Sequence, residues 1–401
     1  MRSFFVWKKI PQKSRTNFRG TVYKSRDLCY NKKTKVLREK NGVKIIHTGD
    51  IHLGSPLRGL PTDKAKLRQA EIVDGFRRLC IFARENGVQA VLIAGDLFDE
   101  NQMTNALKTE VLSAVASAAP VCFFYVSGNH DKDAFFSEAL PQNLYIFSKN
   151  HGWHSYELPE RVAVTGIDSC NLRADAYDAL RLFPDRFNIV MMHGDVSRTQ
   201  GADSLLLTQL QNRYIDYLAL GHIHIPMMAA ERLDGRGRYR YCGCLEGRGF
   251  DECGKRGFFL LEVIDGRLAG EQFVSLAKRE VVLCSVDISA CKSYYEVETA
   301  AISALSAQKR ENMIKLVLTG NHEAGLRKDI SLLSARLSEQ FFQVKVVDES
   351  RVRIDFERYK NDLSERGEFV RETCRYNLTD EERAEILDVG LKALAGEDID
   401  L

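Results

Sequence analysis

No apolar run in this 401-residue chain approaches the ~20 residues that a membrane-spanning helix needs. The first residues also lack the long apolar core of a secretory signal. A cytoplasmic location is the resulting expectation. The 10 cysteines have no framework spacing, with Cys80, Cys122, Cys170, Cys284 and Cys374 scattered along the chain. In a cytosolic chain they read as reduced thiols, not as a disulfide frame. Only Cys242, Cys244 and Cys253 lie close together, and a C-x-C without a second matching pair is a weak thiolate-zinc signal. A reduced loop is the reading there. Internal repeats and low-complexity runs are absent as well. The length allows one large domain and a smaller one, each with an ample core.

Acidic charge is scarce at one end. Residues 1–40 hold 13 Lys and Arg against 2 Asp and Glu, leaving 44 against 53 in the remainder. The formal net charge of +2 therefore hides a basic segment on a mildly acidic body. Without strong hydrophobic periodicity, residues 1–42 read as disordered or loosely attached. A nucleic-acid-binding arm, a targeting peptide and an extension with no fold role all fit, and the last is the reading taken.

From Val43 the pattern is α/β. The apolar runs Val43–Ile46, Val88–Ala94, Val121–Val126, Val162–Ile167, Ile189–Met192, Tyr217–Leu220, Arg238–Cys242 and Phe258–Val263 are predicted strands. Lys64–Glu85, with Leu67, Ile72, Phe76, Leu79 and Phe82 at helical spacing, and Thr104–Ala118 are predicted helices. Such alternation fits a sheet whose site lies on loops at the strands' C-terminal edge. A break is expected around Asp265–Lys278. Beyond it a different rhythm begins: strand Val281–Ile288, helix Tyr295–Lys309, strand Met313–Leu318, helix Leu326–Phe341, then strands Val344–Val347 and Val352–Phe356. The division predicted is 43–275 for a first domain, 279–360 for a compact α+β unit and 361–401 for a C-terminal helical segment. In the last, Thr379-Asp380-Glu381-Glu382 is a capping box, Leu387, Leu391 and Leu394 share a face, and Gly396 stops the helix.

Histidine is scarce too, at 9 residues, and five of them fall in a small set of fragments. These are Asp50-Ile51-His52, Gly95-Asp96, Gly128-Asn129-His130-Asp131, His193 and Gly221-His222-Ile223-His224. Most end a short apolar run. Hydrolysing a phosphate ester near neutral pH needs an activated water and neutralised charge on phosphorus, which two metals roughly 3.5–4 Å apart provide. Asp50 and His52, two apart on an extended segment, can point into one site, and His222 and His224 repeat that geometry. Asp96 at a strand end is the natural bridge, Asn129 offers a neutral oxygen, and His193 adds an imidazole. Nitrogen and oxygen donors without thiolate suit Mn²⁺, with Fe, Zn or Mg as alternatives. Each fragment alone has a bland reading as a cap, a turn or a buried histidine; their joint occurrence in order makes that reading improbable. The remaining histidines read otherwise. Gly320-Asn321-His322-Glu323 is read as a turn before a helix, His151 and His154 as surface residues in a polar loop, and His47 as a core support.

With their neighbours Gly49, Leu97-Phe98-Asp99, Met192 and Gly194, these fragments resemble the calcineurin-like metallophosphoesterases. Asp50-Ile51-His52-Leu53-Gly54 and Gly95-Asp96-Leu97-Phe98-Asp99 look most like the DNA-repair exonuclease branch, the SbcD type. Tyr241-Cys242-Gly243-Cys244-Leu245-Glu246, Phe250-Asp251-Glu252 and Lys255-Arg256-Gly257-Phe258 are similar to that branch's next stretch, so the likeness covers Val43–Val263. It implies a metallophosphoesterase β-sandwich flanked by helices, with a smaller α+β capping domain. It implies one metal on Asp50, His52, Asp96 and His224 and another on Asp96, Asn129, His193 and His222. His130 would sit over the substrate as the acid, with Asp131 orienting it, while a hydroxide bridging the metals attacks phosphorus. Cys242 and Cys244 depart from the branch, which more often has proline and serine there.

The resulting expectation is a Mn²⁺-dependent DNA-repair exonuclease with endonuclease capacity. An SMC-like coiled-coil ATPase partner is implied by analogy, and a homodimer is a further expectation. The alternative is a phosphoesterase for nucleotides or other small phosphodiesters; the extra unit after Arg279 stands against a minimal enzyme of that kind. Phosphoprotein activity is disfavoured because Asp96 lacks the Asp-Arg-Gly continuation and Asp131 replaces a glutamate. A non-catalytic scaffold is disfavoured because no ligand is missing. Balanced charge over residues 280–360 shows no basic face for DNA.

Overall fold

The structure, a computed structural model, describes residues 22–23, 42–99, 103–131, 134–135, 139–147, 152–168, 172, 174–197, 203–323, 326–353 and 359–396. The expectations for residues 1–42 fall, apart from Val22–Tyr23 and Gly42, outside that set, as do those for His151 and Cys170. One sheet runs, in spatial order, Arg267–Val274, Phe258–Ile264, Val43–Thr48, Ala90–Ala94, Cys122–Val126 and Leu144–Ile146. The other runs Val22–Tyr23, His154–Leu158, Val162–Gly166, Phe187–His193, Tyr217–Gly221, Arg238–Tyr241 and Glu231–Arg232. The central strands of each sheet are parallel: Val43–Thr48 beside Ala90–Ala94 and Cys122–Val126, and Phe187–His193 beside Tyr217–Gly221. Their carboxyl ends therefore open on one side of each sheet.

Strand periodicity explains why these runs are apolar throughout. Ile45, Leu92 and Phe124 meet Ile189, Met191 and Ala219 in the core between the sheets. Their neighbours Ile46, Val91, Ile93, Phe123 and Tyr125 point the other way, under the helices Thr62–Glu85 and Asn105–Ser117. Val190, Met192, Leu218 and Leu220 face a third core outside the second sheet. A strand covered on both faces needs side chains of one kind on both. The outcome is an α/β sandwich of two sheets flanked by helices.

Residues 265–278 do not form a break. Asp265-Gly266, both with positive φ (52° and 72°), makes the tight turn of a hairpin, and Arg267–Val274 pairs antiparallel with Phe258–Ile264. The strand escaped the hydrophobic pattern because it lies on the sheet edge and has no buried residue. Three parallel strands, Val281–Asp287, Met313–Thr319 and Gln343–Asp348, follow, with helices Tyr294–Leu305 and Ile330–Ser338 packed on their own core. His322 is not in a turn: it lies on the short strand Asn321–Glu323, buried, with Lys328 Nζ 2.8 Å from its Nε2. His154 likewise opens a strand and is half-buried rather than sitting in a loop. Beyond lie the helix Glu365–Arg375, too polar to be read from periodicity, and Asp380–Ala395, which has the capping box on Thr379 and ends at Gly396. Leu387 and Leu391 are buried against Val370, but Leu394 is 40% exposed and does not share their burial.

A buried ionic clasp joins the long helix to the chain after Arg238–Tyr241. Arg68, fully buried, donates to Glu246 Oε2 (2.7 Å), to the Gly247 carbonyl (2.8 Å) and to Glu71 (3.2 Å). Glu71 in turn holds Arg279 through two hydrogen bonds of 2.7 and 2.8 Å, and Arg279 stacks on Phe342. Removing one partner of a buried pair strands the other charge. Glu246→Ala is expected to destabilise the protein by about 3–5 kcal/mol in denaturant unfolding; a loss below about 1 kcal/mol would show that Glu71 alone satisfies Arg68.

His47 ties the two sheets across their shared core, its Nδ1 lying 2.9 Å from the Tyr217 hydroxyl. Burial, then the charge of Arg240, lowers its pKa from 6.5 to about 3. Between those values the unfolded chain binds a proton that the folded chain refuses, so stability falls as pH drops. The slope approaches about 1.4 kcal/mol per pH unit. In chelator-treated protein, unfolding of His47→Gln at about pH 7 and about pH 5 is expected to show a smaller pH-dependent loss than wild type. Equal losses would mean that His47 is not the titrating group.

Candidate metal centre

The loops that leave the parallel strands run side by side. Asp50 N donates to Gly95 O (3.0 Å), His52 N to Asp96 O (2.9 Å) and Leu53 N to Leu97 O (2.9 Å). Ile51, Leu53, Leu97 and Phe98 anchor both loops in the core beneath the helices. To aim the alternate side chains at one point, Asp50, His52 and Asp96 take φ of 48°, 48° and 47°, and His222 takes 105°. Left-handed backbone at non-glycine residues costs roughly 1–3 kcal/mol each and gathers at functional sites. Two glycines let these ligand side chains lie against the backbone. A Cβ on Gly128 would lie 2.0 Å from Asp96 Oδ1, and one on Gly95, itself at φ 91°, would lie 2.1 Å from His193 Nδ1.

Asp50 and Asp96 are both buried, at 0% and 2% exposure. The Asp50 carboxylate accepts the His222 backbone N–H at 2.8 and 3.0 Å, linking the two sheets, and Asp96 Oδ1 accepts that of His130 at 3.0 Å. Asp96 Oδ2 stands 3.6 Å from His52 Nε2 and 3.4 Å from His193 Nε2. Burial pushes both carboxyls above their usual range, and for Asp50 the neighbouring Asp96 adds to the rise. The imidazoles move the other way. Burial lowers His52 to about 2, with Arg248 and the neighbouring histidines contributing, and lowers His193 to about 4 against a bond to Ala94. Neutral imidazoles beside carboxylates that resist ionisation are the ligand set a divalent cation stabilises.

Donor atoms of Asp50, His52 and His224 lie within 4.8 Å of one another, as do those of Asp50, Asp96 and His193. Hydrogen bonding decides which nitrogens face inward. His193 Nδ1 is 2.9 Å from the Ala94 carbonyl and so carries the proton, leaving Nε2 toward Asp96 and toward Asn129 Oδ1 at 3.0 Å. His224 Nδ1 lies between Glu252 Oε1 at 2.8 Å and Arg248 Nη2 at 2.9 Å, and its Nε2 is 3.1 Å from His52 Nε2. Two ring nitrogens facing each other at that distance, beside the Asp50 carboxylate, suit a shared cation. The residues present therefore fit metal ions, with Asp96 between the two histidine groups and Asp50 within reach of both. The His222 ring packs edge-on against that of His193, with centroids 5.2 Å apart. Of the seven residues expected as ligands, five fall in these two groups, and Asn129 and His222 lie against His193.

His130 is exposed at the mouth, its ring centroid 5.1 Å from that of His52. Asp131 takes a different part from the one expected. Its carboxylate accepts the backbone N–H of Leu97 (2.6 Å), Phe98 (3.3 Å) and Gly128 (2.7 Å), and no bond to the His130 imidazole occurs among the described residues. It is fully buried and pins the Asp96 and Asn129 loops together. Burial, then Asp96, raises its pKa to about 6.

Glu252 and Arg248 are functional neighbours that sequence reasoning missed. Burial would raise the Glu252 carboxyl, but bonds from His224 and Arg248, with the charge of Arg248, hold it well below its ordinary range. Arg248 donates to Glu252 through Nε (3.1 Å), Nη2 (2.8 Å) and its backbone N–H (2.7 Å). The sequence signal was Glu252 within Phe250-Asp251-Glu252, with nothing to say that a turn brings it behind His224. Cys242 and Cys244 are buried thiols whose pKa burial raises, and no metal-holding group among the described residues includes a cysteine.

Residues 43–226 match the sequence profile of the family described as calcineurin-like phosphoesterase. Over 308 residues the chain is 26% identical to an uncharacterised metallophosphoesterase, YhaO, of Bacillus subtilis, covering 69% of this chain and 71% of that one. The DNA double-strand break repair protein Mre11 of Sulfolobus acidocaldarius is 22% identical over 86% of this chain and 94% of its own. One subunit of the nuclease SbcCD of Escherichia coli is 26% identical over 53% of this chain and 63% of its own. Among solved structures, a dimetal phosphatase from Danio rerio aligns with 11% identity and a TM-score of 0.41 over 59% of this chain and 98% of that one, a likeness too slight to carry an argument. No helix among the described residues is long and apolar enough to cross a membrane.

Glu252 holds the His224 ring through Nδ1, so its loss is expected to weaken metal binding by about 10–100-fold. Titration of Mn²⁺ into chelator-stripped Glu252→Gln, with circular dichroism as the folding control, measures this. Unchanged affinity in a folded variant would show that His224 is held without it.

Proposed function

We propose that this chain hydrolyses phosphodiester bonds in DNA, with two divalent ions, Mn²⁺ foremost, held by Asp50, His52, Asp96, Asn129, His193, His222 and His224. The observation that carries the reading is the buried Asp50–Asp96 pair with His52, His193 and His224 turned onto it, and the exposed His130 at its mouth. Similarity to Mre11 over most of the chain supports DNA as the substrate. Bound metals would supply an activated water and neutralise charge on the phosphate. The chain's own residues do the rest. His193 and His224 present fixed nitrogens because Ala94 and Glu252 hold their other ring nitrogens. Asp131 keeps the Asn129-His130 loop against the Asp96 loop. The exposed His130 imidazole is the proposed acid for the leaving oxygen. Following the resemblance to the DNA-repair exonuclease branch, a coiled-coil SMC-like ATPase is the proposed partner, and a homodimer the proposed assembly.

The test is Mn²⁺-dependent digestion of linear double- and single-stranded DNA. Asp96→Ala is expected to abolish cleavage, and His130→Ala to slow it by about 10²–10⁴-fold while Mn²⁺ binding stays intact. Turnover of small phosphodiesters without DNA cleavage would replace the nuclease reading with that of a small-substrate phosphoesterase. Full activity in His130→Ala would remove the acid role.

A further inference from the structure

A cavity of about 630 Å³ lies where the sandwich meets the three-stranded parallel unit, lined by Lys255, Arg256, Lys278, Arg279 and Lys309 among others. Its size is that of a small-molecule site, and none of these residues belongs to the metal centre. Arg279 is already neutralised by Glu71. Arg256 is not. Its residue is 4% exposed, its Nε is buried without a hydrogen-bond partner, and its one hydrogen bond among the described residues runs from Nη1 to the Lys255 carbonyl at 3.2 Å. No carboxylate lies within ion-pair distance of it among the described residues, whereas the other deeply buried arginines, Arg68 and Arg240, each reach one. A guanidinium taken out of water without an anion is costly and is retained where something supplies the charge.

The cavity walls set the sign of that ligand. Lys255, Lys278 and Lys309 are exposed around Arg256, against the acidic Glu280 and Glu311. With Arg279 committed to Glu71, four cations face two carboxylates, an excess of two positive charges. Guanidinium forks match tetrahedral oxyanions, and lysines add point charge. We propose that this cavity binds a phosphate group, seated on Arg256 and closed in by Lys255, Lys278 and Lys309. The group belongs to a small phosphate ester, a free phosphate or a nucleic-acid backbone. Because the cavity joins the sandwich to the second unit, an occupant there would touch both at once.

The experiment is calorimetric titration of inorganic phosphate into the full chain stripped of metal by a chelator, which silences the metal centre and keeps the result independent of the nuclease reading. Wild type is expected to bind one phosphate per chain, Arg256→Gln about 10–100-fold more weakly, and His130→Ala as wild type. The exposed double variant Lys255→Ala with Lys309→Ala is expected to weaken binding by about tenfold and guards against misfolding of Arg256→Gln. Competition by a nucleoside monophosphate identifies a small ester; competition by a short oligonucleotide alone identifies a backbone phosphate. No saturable binding to wild type, or undiminished binding in Arg256→Gln and in the lysine double variant, would overturn the proposal.

Discussion

The constraint on which the rest depends is the burial of two carboxylates side by side. Among the described residues, no lysine or arginine pairs with Asp50 or Asp96; their nearest cationic candidates are imidazoles that burial keeps neutral. A folded chain tolerates such a pair only if much else is arranged around it. Backbone N–H groups from His130 and His222 donate to the two carboxylates, and positive φ angles at Asp50, His52, Asp96 and His222 turn the side chains inward. The double-sided sandwich supplies the rigidity that keeps those strained loops from relaxing.

Around this pair the structure divides its labour in depth. Donor atoms come from the loops that follow the parallel strands, one layer out come Ala94, Glu252 and Asp131, and further out stands the Arg68–Glu246–Glu71–Arg279 clasp. Glu246 and Glu252 are close in sequence yet act on different things, one on the long helix and one on His224. The short stretch between them therefore connects helix packing to ligand orientation. The same stretch leads on to Arg256 and the cavity beside the second unit.

Much of the sandwich was legible because strands covered on both faces write continuous apolar runs, as in Ala90–Ala94 and Phe187–His193. The edge strand Arg267–Val274 was not, since an exposed edge leaves no apolar pattern, although Asp265-Gly266 was a readable turn. The residues that converge on the centre were readable because ligand chemistry restricts residue type: carboxylate, imidazole and amide at strand ends. Glu252 and Arg248 were not, because a supporting carboxylate obeys no spacing rule relative to the histidine it holds. Asp131 shows a further limit. Its identity and place beside His130 suggested a partner for the imidazole, but only the fold shows its oxygens facing three backbone amides.

The contact between Gly128 and Asp96 has a consequence for how such a centre can change over time. Strands with apolar residues on both faces do not strongly resist sliding by one residue, because either face suits the core. What a slide would disturb is the carboxylate lying where a Gly128 side chain would be, and the histidine lying where one on Gly95 would be. Insertions or deletions within Ala90–Ala94 or Cys122–Val126 would bring a bulkier neighbour onto Asp96 or His193 before they disturbed the core. Length changes are thus expected to be tolerated at the far ends of these strands and in the helical connections rather than between strand end and ligand, where backbone contact fixes the spacing.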